Sequence, residues 1–287
     1  TNERQCYQSL SRGRNALCNT DIKHQELGRV LSNECIAPGV FVMEITAPLI
    51  CNEARPGQFV HIRVVDSPIQ LLRMPFGIYD CNPEIGSIEI CFQVLGEGTK
   101  QLSGLSIGDK VDVVGPIGHG WTMPAEAKHA MIIAGGLGAA PMNLLAREMA
   151  AGGVKVDVVL GGPTSERLVC RERLAKSVEA SGGKFLVSTD DGSEGLHGFC
   201  TQISDELLQE EGADYDYICV CGPGPMERNA VKVPMSKDIY TEASFEKLMA
   251  CGIGACLSCI VETVDGRRRC CVDGPVFDVT KVGWYWP

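Results

Sequence analysis

Ala130-Met131-Ile132-Ile133-Ala134-Gly135-Gly136-Leu137-Gly138-Ala139-Ala140-Pro141 is the stretch on which the reading of the fold turns. Five apolar residues in a row suit a strand covered on both faces, and the glycines after them suit a tight turn into a helix running to Ala150. The alternation recurs: residues 156–160 form another apolar run before a helical stretch at 166–178, and the runs 185–188 and 217–220 are each followed by helix-compatible sequence. Strands too apolar for a one-sided sheet, alternating with helices, predict a parallel α/β domain over residues 126–232.

Upstream the period changes. Ile88, Ile90, Phe92 and Val94 alternate with Ser87, Glu89, Cys91 and Gln93, the pattern of a half-buried strand. Short runs at 40–45, 58–65 and 110–114 are separated by Pro56-Gly57, Asn82-Pro83 and Gly108-Asp109, so residues 28–125 predict a small antiparallel barrel. Residues 1–27 show no period and stand as an N-terminal extension; its Cys6 and Cys18 lack the neighbouring ligands of a second metal site. Residues 233–287 form a third unit, rich in Cys and Gly. The expected architecture is therefore α/β plus β-barrel, with a small C-terminal domain.

Composition narrows the function. The chain has 287 residues, 45% of them hydrophobic, enough for two or three modest domains. No apolar run approaches the roughly 18 residues of a membrane span, and residues 1–25 lack an apolar signal core, so a soluble, cytoplasmic protein is expected. A net charge of −10, with only Arg267, Arg268 and Arg269 as a basic run, argues against nucleic-acid binding. Fifteen cysteines without an export signal point to a metal or redox cofactor rather than to disulfides.

Five of those cysteines fall within Cys251-Gly252-Ile253-Gly254-Ala255-Cys256-Leu257-Ser258-Cys259 and Cys270-Cys271. The first three have the C-x4-C-x2-C spacing of plant-type 2Fe–2S proteins. Three thiolates converging on two irons require a tightly wrapped loop, which Gly252 and Gly254 permit. Zinc favours paired C-x2-C hooks or added histidines, and a Rieske centre needs two; no His follows His197. Either Cys270 or Cys271 can supply the fourth ligand.

Gly135, Gly136 and Gly138, with Pro141, sit where a strand opens into a helix, a site that favours a pyrophosphate. Cys221-Gly222-Pro223-Gly224-Pro225-Met226 repeats the arrangement after the last strand of the α/β region, and two such turns build a crevice for a dinucleotide. In the barrel, Arg73, Pro75, Phe76 and Gly77, with Gly98 and Thr99 opening a short helix, suit a flavin and its diphosphate.

Barrel, nucleotide domain and cysteine loop in this order resemble the ferredoxin-reductase-like flavoproteins, and above all the electron-transfer subunit of class B dihydroorotate dehydrogenase. The residues that carry the resemblance are the cysteine loop, Cys271-Val272-Asp273-Gly274-Pro275-Val276-Phe277, the 135–141 turn, Ser188-Thr189-Asp190-Asp191-Gly192 and Cys221-Gly222-Pro223. It implies FAD, NAD and one 2Fe–2S cluster as cofactors, and an FMN-bearing catalytic subunit as partner in a heterotetramer of pyrimidine biosynthesis. It also selects Cys271 over Cys270 as fourth ligand beside Cys251, Cys256 and Cys259, and places Cys221 near the nicotinamide. In that family an Arg-Pro-x-Ser motif meets the flavin; here Met74 and Gly77 occupy the Arg and Ser registers, with Arg73 one residue early. The Arg-x-Pro pattern also occurs in the small subunit of NADH-dependent ferredoxin:NADP oxidoreductase, so a subunit of another flavin-based complex is the alternative. Glu166, among Thr164, Ser165 and Arg167 after the second α/β strand, would repel a 2′-phosphate, which favours NAD over NADP.

Overall fold

The computed structural model describes residues 23–65 and 71–283. The extension's Cys6 and Cys18 therefore lie outside the described residues. The barrel is built from β1 (His24–Ala37), β2 (Val40–Thr46), β3 (Phe59–Val64), β4 (Met74–Asn82), β5 (Ser87–Gln93) and β6 (Lys110–Ile117). Two short helices interrupt it, α1 (Pro48–Glu53) and α2 (Glu97–Ser103). The strands close in the order β1-β2-β5-β4-β3-β6, each pair antiparallel, so no edge is left unpaired. The alternation read in β5 is observed: Ile88, Ile90 and Phe92 join Met43, Ile45, Val60, Ile62 and Val113 in the barrel core. β1 begins at His24, so the boundary placed after residue 27 falls within this strand. The reason it escapes a periodicity reading is that Leu27 is exposed while Val30 alone of the strand's apolar residues is fully buried.

The second domain runs through β7 (His129–Gly135), α3 (Met142–Ala151), β8 (Lys155–Gly162), α4 (Arg171–Ser181), β9 (Phe185–Thr189), β10 (Leu196–His197), α5 (Cys200–Gln209), β11 (Tyr217–Cys221), α6 (Gly224–Ala230), α7 (Lys232–Ser236) and β12 (Tyr240–Ser244). The helical stretch expected at 166–178 is resolved into a single 3-10 turn, Ser165–Arg167, and then α4. The sheet order is β10-β9-β8-β7-β11-β12-β15, parallel throughout except for the last strand, β15 (Val276–Asp278). Successive residues of β7 point to opposite faces: Ala130, Ile132 and Ala134 meet α3 and α4, whereas Met131 and Ile133 meet α5.

The chain then forms the cysteine loop, the hairpin β13 (Ile260–Thr263) and β14 (Gly266–Arg269), the helical turn α8 (Cys270–Asp273) and finally β15 (Val276–Asp278). β15 pairs antiparallel with β12. The sheet thus continues past residue 232, and the C-terminal unit is stitched into it. Cys259, Cys270, Cys271 and Phe277 share one core with Phe59 of the barrel and Ile218 of the sheet.

Candidate functional site: an interdomain cleft and the cysteine loop

Strand order in the sheet reverses between β7 and β11, and their C-terminal ends are where a crevice opens. A cleft of about 400 Å³ lies there, between sheet and barrel. From the sheet side it is lined by Gly135, Gly138, Pro141, Cys221 and Gly222, and from β4 by Pro75, Phe76 and Gly77. Glycine is required at one of these points and gives close packing at another. A Cβ on Gly138 would lie 2.6 Å from the Cys221 carbonyl oxygen and 2.8 Å from Gly222 Cα, so the two turns close on each other only without a side chain. A Cβ on Gly77 would lie 3.2 Å from Pro141 Cβ, which gives Gly77 a reason beyond a missing hydroxyl: barrel and nucleotide turn touch here.

The other expected residues do not line this cleft. Gly136 takes a left-handed conformation (φ 54°) at the turn. Met226 packs over Gly135 and Gly222, and Pro225 opens α6 behind it. Thr99 Oγ1 accepts the amides of Leu95 and Gly96 at 2.9 and 3.1 Å, holding the start of α2, while Gly98 lies against Met74. Arg73 is turned onto the barrel wall: it donates to Asp112 Oδ2 at 2.5 Å and to the Asp112 carbonyl at 2.9 Å. Burial opposes the charge of Asp112, but hydrogen bonds from Arg73 and Gln25 hold its carboxyl below the ordinary range.

Several lining residues carry no local sequence signal. Ser244 at the end of β12 and Glu246, Lys247 and Met249 between β12 and the cysteines form one side of the cleft, and Cys91 of β5 another part. Their place follows from β12 ending beside β11, a long-range fact. Burial pushes the Cys221 thiol far up, with Glu227 and Glu246 adding to it, so it stays protonated. Burial likewise raises the carboxyl of Glu227 to about 7, although it accepts the Gly222 amide at 3.3 Å.

The cysteine loop wraps through three left-handed residues, Gly252 (φ 67°), Gly254 (φ 82°) and Leu257 (φ 59°). Cys251 Sγ accepts the amides of Ile253 and Cys256 at 3.5 and 3.4 Å. Cys256 is exposed, and hydrogen bonding, first from Ser258, lowers its thiol to about 6. Cys259 and Cys271 are buried and hydrogen-bonded to each other; burial raises Cys271 to about 12, while the Gly254 amide bonds to it. Cys270 and Cys271 stand on a helical turn, not a strand, so their side chains diverge by about 100°. Cys270 points away, its thiol donating to the Phe245 carbonyl at 3.2 Å. Among the described residues no three Cys, His, Asp or Glu side chains are drawn together on a single ion.

One neighbour of the loop carries no local sequence signal. His61 is 1% exposed, and neither ring nitrogen has a partner. Burial, helped by the charge of Arg73, lowers it to about 4, so the ring is neutral.

These features fit the groups the sequence suggests: thiols on a loop with inward amides for an iron–sulfur cluster, and a glycine cradle at helix α3 for a dinucleotide. Residues 132–232 match the oxidoreductase NAD-binding domain, and residues 246–283 match the iron–sulfur cluster binding domain of dihydroorotate dehydrogenase B. The chain is 35% identical over 260 residues to the dihydroorotate dehydrogenase B (NAD(+)) electron transfer subunit of Desulforamulus reducens, covering 89% of this chain and 97% of that one. The chain belongs to this family. A second member, from Clostridium acetobutylicum, is 37% identical over 249 residues, 87% of this chain and 93% of its own length. The chain is thus an NAD-linked electron-transfer subunit of a multi-subunit oxidoreductase. Among solved structures, the NADH-dependent reduced ferredoxin-NADP oxidoreductase has a chain that superposes with TM-score 0.80 at 30% identity, covering 90% of each. The cytochrome b5 reductase domain of Ulva prolifera nitrate reductase shares the fold, with TM-score 0.63 at 19% identity over 77% of this chain and 97% of that one. No helix among the described residues is long and apolar enough to cross a membrane.

Proposed function

We propose that this chain serves an FMN-bearing subunit that oxidises dihydroorotate in pyrimidine biosynthesis, delivering the electrons to NAD+. The observation that carries the reading is the cysteine loop, folded against both barrel and sheet beside the interdomain cleft. An iron–sulfur cluster and FAD, when bound, supply the one-electron and hydride chemistry. The chain's own residues bind and orient. Cys251, Cys256, Cys259 and Cys271 hold the cluster, and the amides of Ile253, Cys256 and Gly254 offset the negative charge of the sulfurs. Pro75, Phe76 and Gly77 form the flavin wall, while Gly98 and Thr99 present the start of α2 to its diphosphate. Arg73, tied to Asp112, fixes the entry of β4 into that wall.

Gly135, Gly136, Gly138 and Pro141 receive the dinucleotide, and the protonated Cys221 and the Gly222 turn, backed by Pro225 and Met226, face its nicotinamide. Glu166, exposed after β8, disfavours the extra phosphate of NADP. The test is reconstitution of the full chain with an FMN-bearing dihydroorotate dehydrogenase subunit. Dihydroorotate-dependent NAD+ reduction that needs both chains supports the reading; no gain from adding this chain overturns it. A second reading, favoured by the 30% identity and TM-score of 0.80, is an NADH-linked subunit of a ferredoxin:NADP oxidoreductase-type complex. Co-purification with a multi-cluster subunit instead of an FMN-bearing one would select it.

A further inference from the structure

His61 lies on β3, whose alternate residues Val60 and Ile62 fill the barrel core. Its side chain therefore stands on the outer face, with Phe59, which packs into the core shared with Cys259 and Cys271. There the imidazole covers the cysteine loop so closely that a Cβ on Gly252 would lie 2.7 Å from both His61 Nδ1 and Cε1. In register, His61 is paired across the ladder with Pro75, a wall residue of the cleft. The ring thus stands between the flavin wall and the residue next to Cys251.

A neutral imidazole carries one N–H and one bare nitrogen, and both nitrogens of His61 are buried without a partner. Buried polar atoms in folded proteins are almost always hydrogen-bonded, so an orphaned ring at this place marks a partner that binds there. We propose that His61 donates its N–H to a sulfur of the iron–sulfur group held by the Cys251 loop, and thereby raises that group's reduction potential. The inference rests on the four-cysteine reading given above. Its physical basis is that an added electron makes the sulfurs more negative, so a hydrogen-bond donor stabilises the reduced state more than the oxidised one. One electron enters and no bond is made or broken. His61 is a positioning and tuning residue, not a cluster ligand.

The test uses the holoprotein in EPR-monitored redox titration, with iron and flavin content measured for each variant. His61→Phe keeps a ring and removes the donor; His61→Asn keeps a donor near Nδ1. The expected result for His61→Phe is a one-electron reduction equilibrium about tenfold less favourable for the cluster, which is a downward shift of about 59 mV. His61→Asn should recover part of it, and the flavin couple should not move. An unchanged cluster potential at full iron content overturns the proposal, as does a shift confined to the flavin couple. Pulsed EPR of unsubstituted protein labelled with 15N-histidine decides the matter even where a variant fails to fold. A nitrogen coupling on the reduced cluster supports the proposal, and its absence overturns it. Absence of any cluster signal in the unsubstituted protein would instead overturn the four-cysteine reading itself.

Discussion

Replacing Glu227 by Gln should change how the protein's stability responds to pH. Glu227 is 5% exposed on α6, and its carboxyl is raised by burial from the ordinary 4.5 to about 7. The folded state thus holds this proton more tightly than the unfolded chain does. Between pH 4.5 and about 7 the folded protein binds more protons, so stability falls as pH rises and levels off above about 7. At about 1.4 kcal/mol for each pH unit between the two values, the full loss is about 3 kcal/mol. Gln has the same shape, keeps an oxygen to accept the Gly222 amide and cannot ionise. In urea unfolding followed by circular dichroism, Glu227→Gln should match the unsubstituted protein at about pH 4, below both values. It should exceed the unsubstituted protein by about 3 kcal/mol at pH 8. Parallel pH profiles for the two proteins would show that Glu227 does not hold its proton more tightly in the folded state.

Gly138→Ala places a methyl group 2.6 Å from the Cys221 carbonyl oxygen and forces the two turns apart. NADH affinity, measured by titration calorimetry, should fall about tenfold or more with flavin and iron content unchanged, a loss of at least about 1.4 kcal/mol. Cys271→Ser should strip most of the iron from the purified chain, whereas Cys270→Ser, whose thiol serves only the Phe245 carbonyl, should retain it in metal analysis. Arg173 of α4 bonds Glu89 and Asp80 of the barrel and lies 4.8 Å over the Tyr79 ring. It is half exposed, so Arg173→Met should destabilise by only about 1 to 2 kcal/mol. The loss should shrink with added salt and show as faster hydrogen exchange at the barrel–sheet seam.

The features legible in the sequence were those fixed by local chemistry. The alternation of β5, the apolar run and glycine turn of β7, and the C-x4-C-x2-C loop each state their structure within about a dozen residues. What escaped depends on distant partners. β1 reads as irregular because only Gly28 and Val30 of its fourteen residues are buried. β12 and β15 read as part of a separate unit because their place in the sheet is set by pairing across the intervening cysteine loop. His61, inside the apolar run Phe59-Val60-His61-Ile62, passes for an ordinary strand residue until Gly252 is seen beneath it. Arg73 was legible as a functional cation, but nothing near it in sequence announces Asp112 of β6 as its partner.

The function proposed for this chain is to couple NADH to an iron–sulfur cluster through a flavin bound in its own barrel. Anaerobic purification, iron and flavin analysis, and titration with NADH under visible and EPR spectroscopy test it most directly. The expected result is about two irons and one FAD per chain, bleaching of the flavin bands by NADH and an EPR signal from a reduced 2Fe–2S cluster. A colourless protein carrying zinc, or a flavin that NADH leaves oxidised, would contradict it.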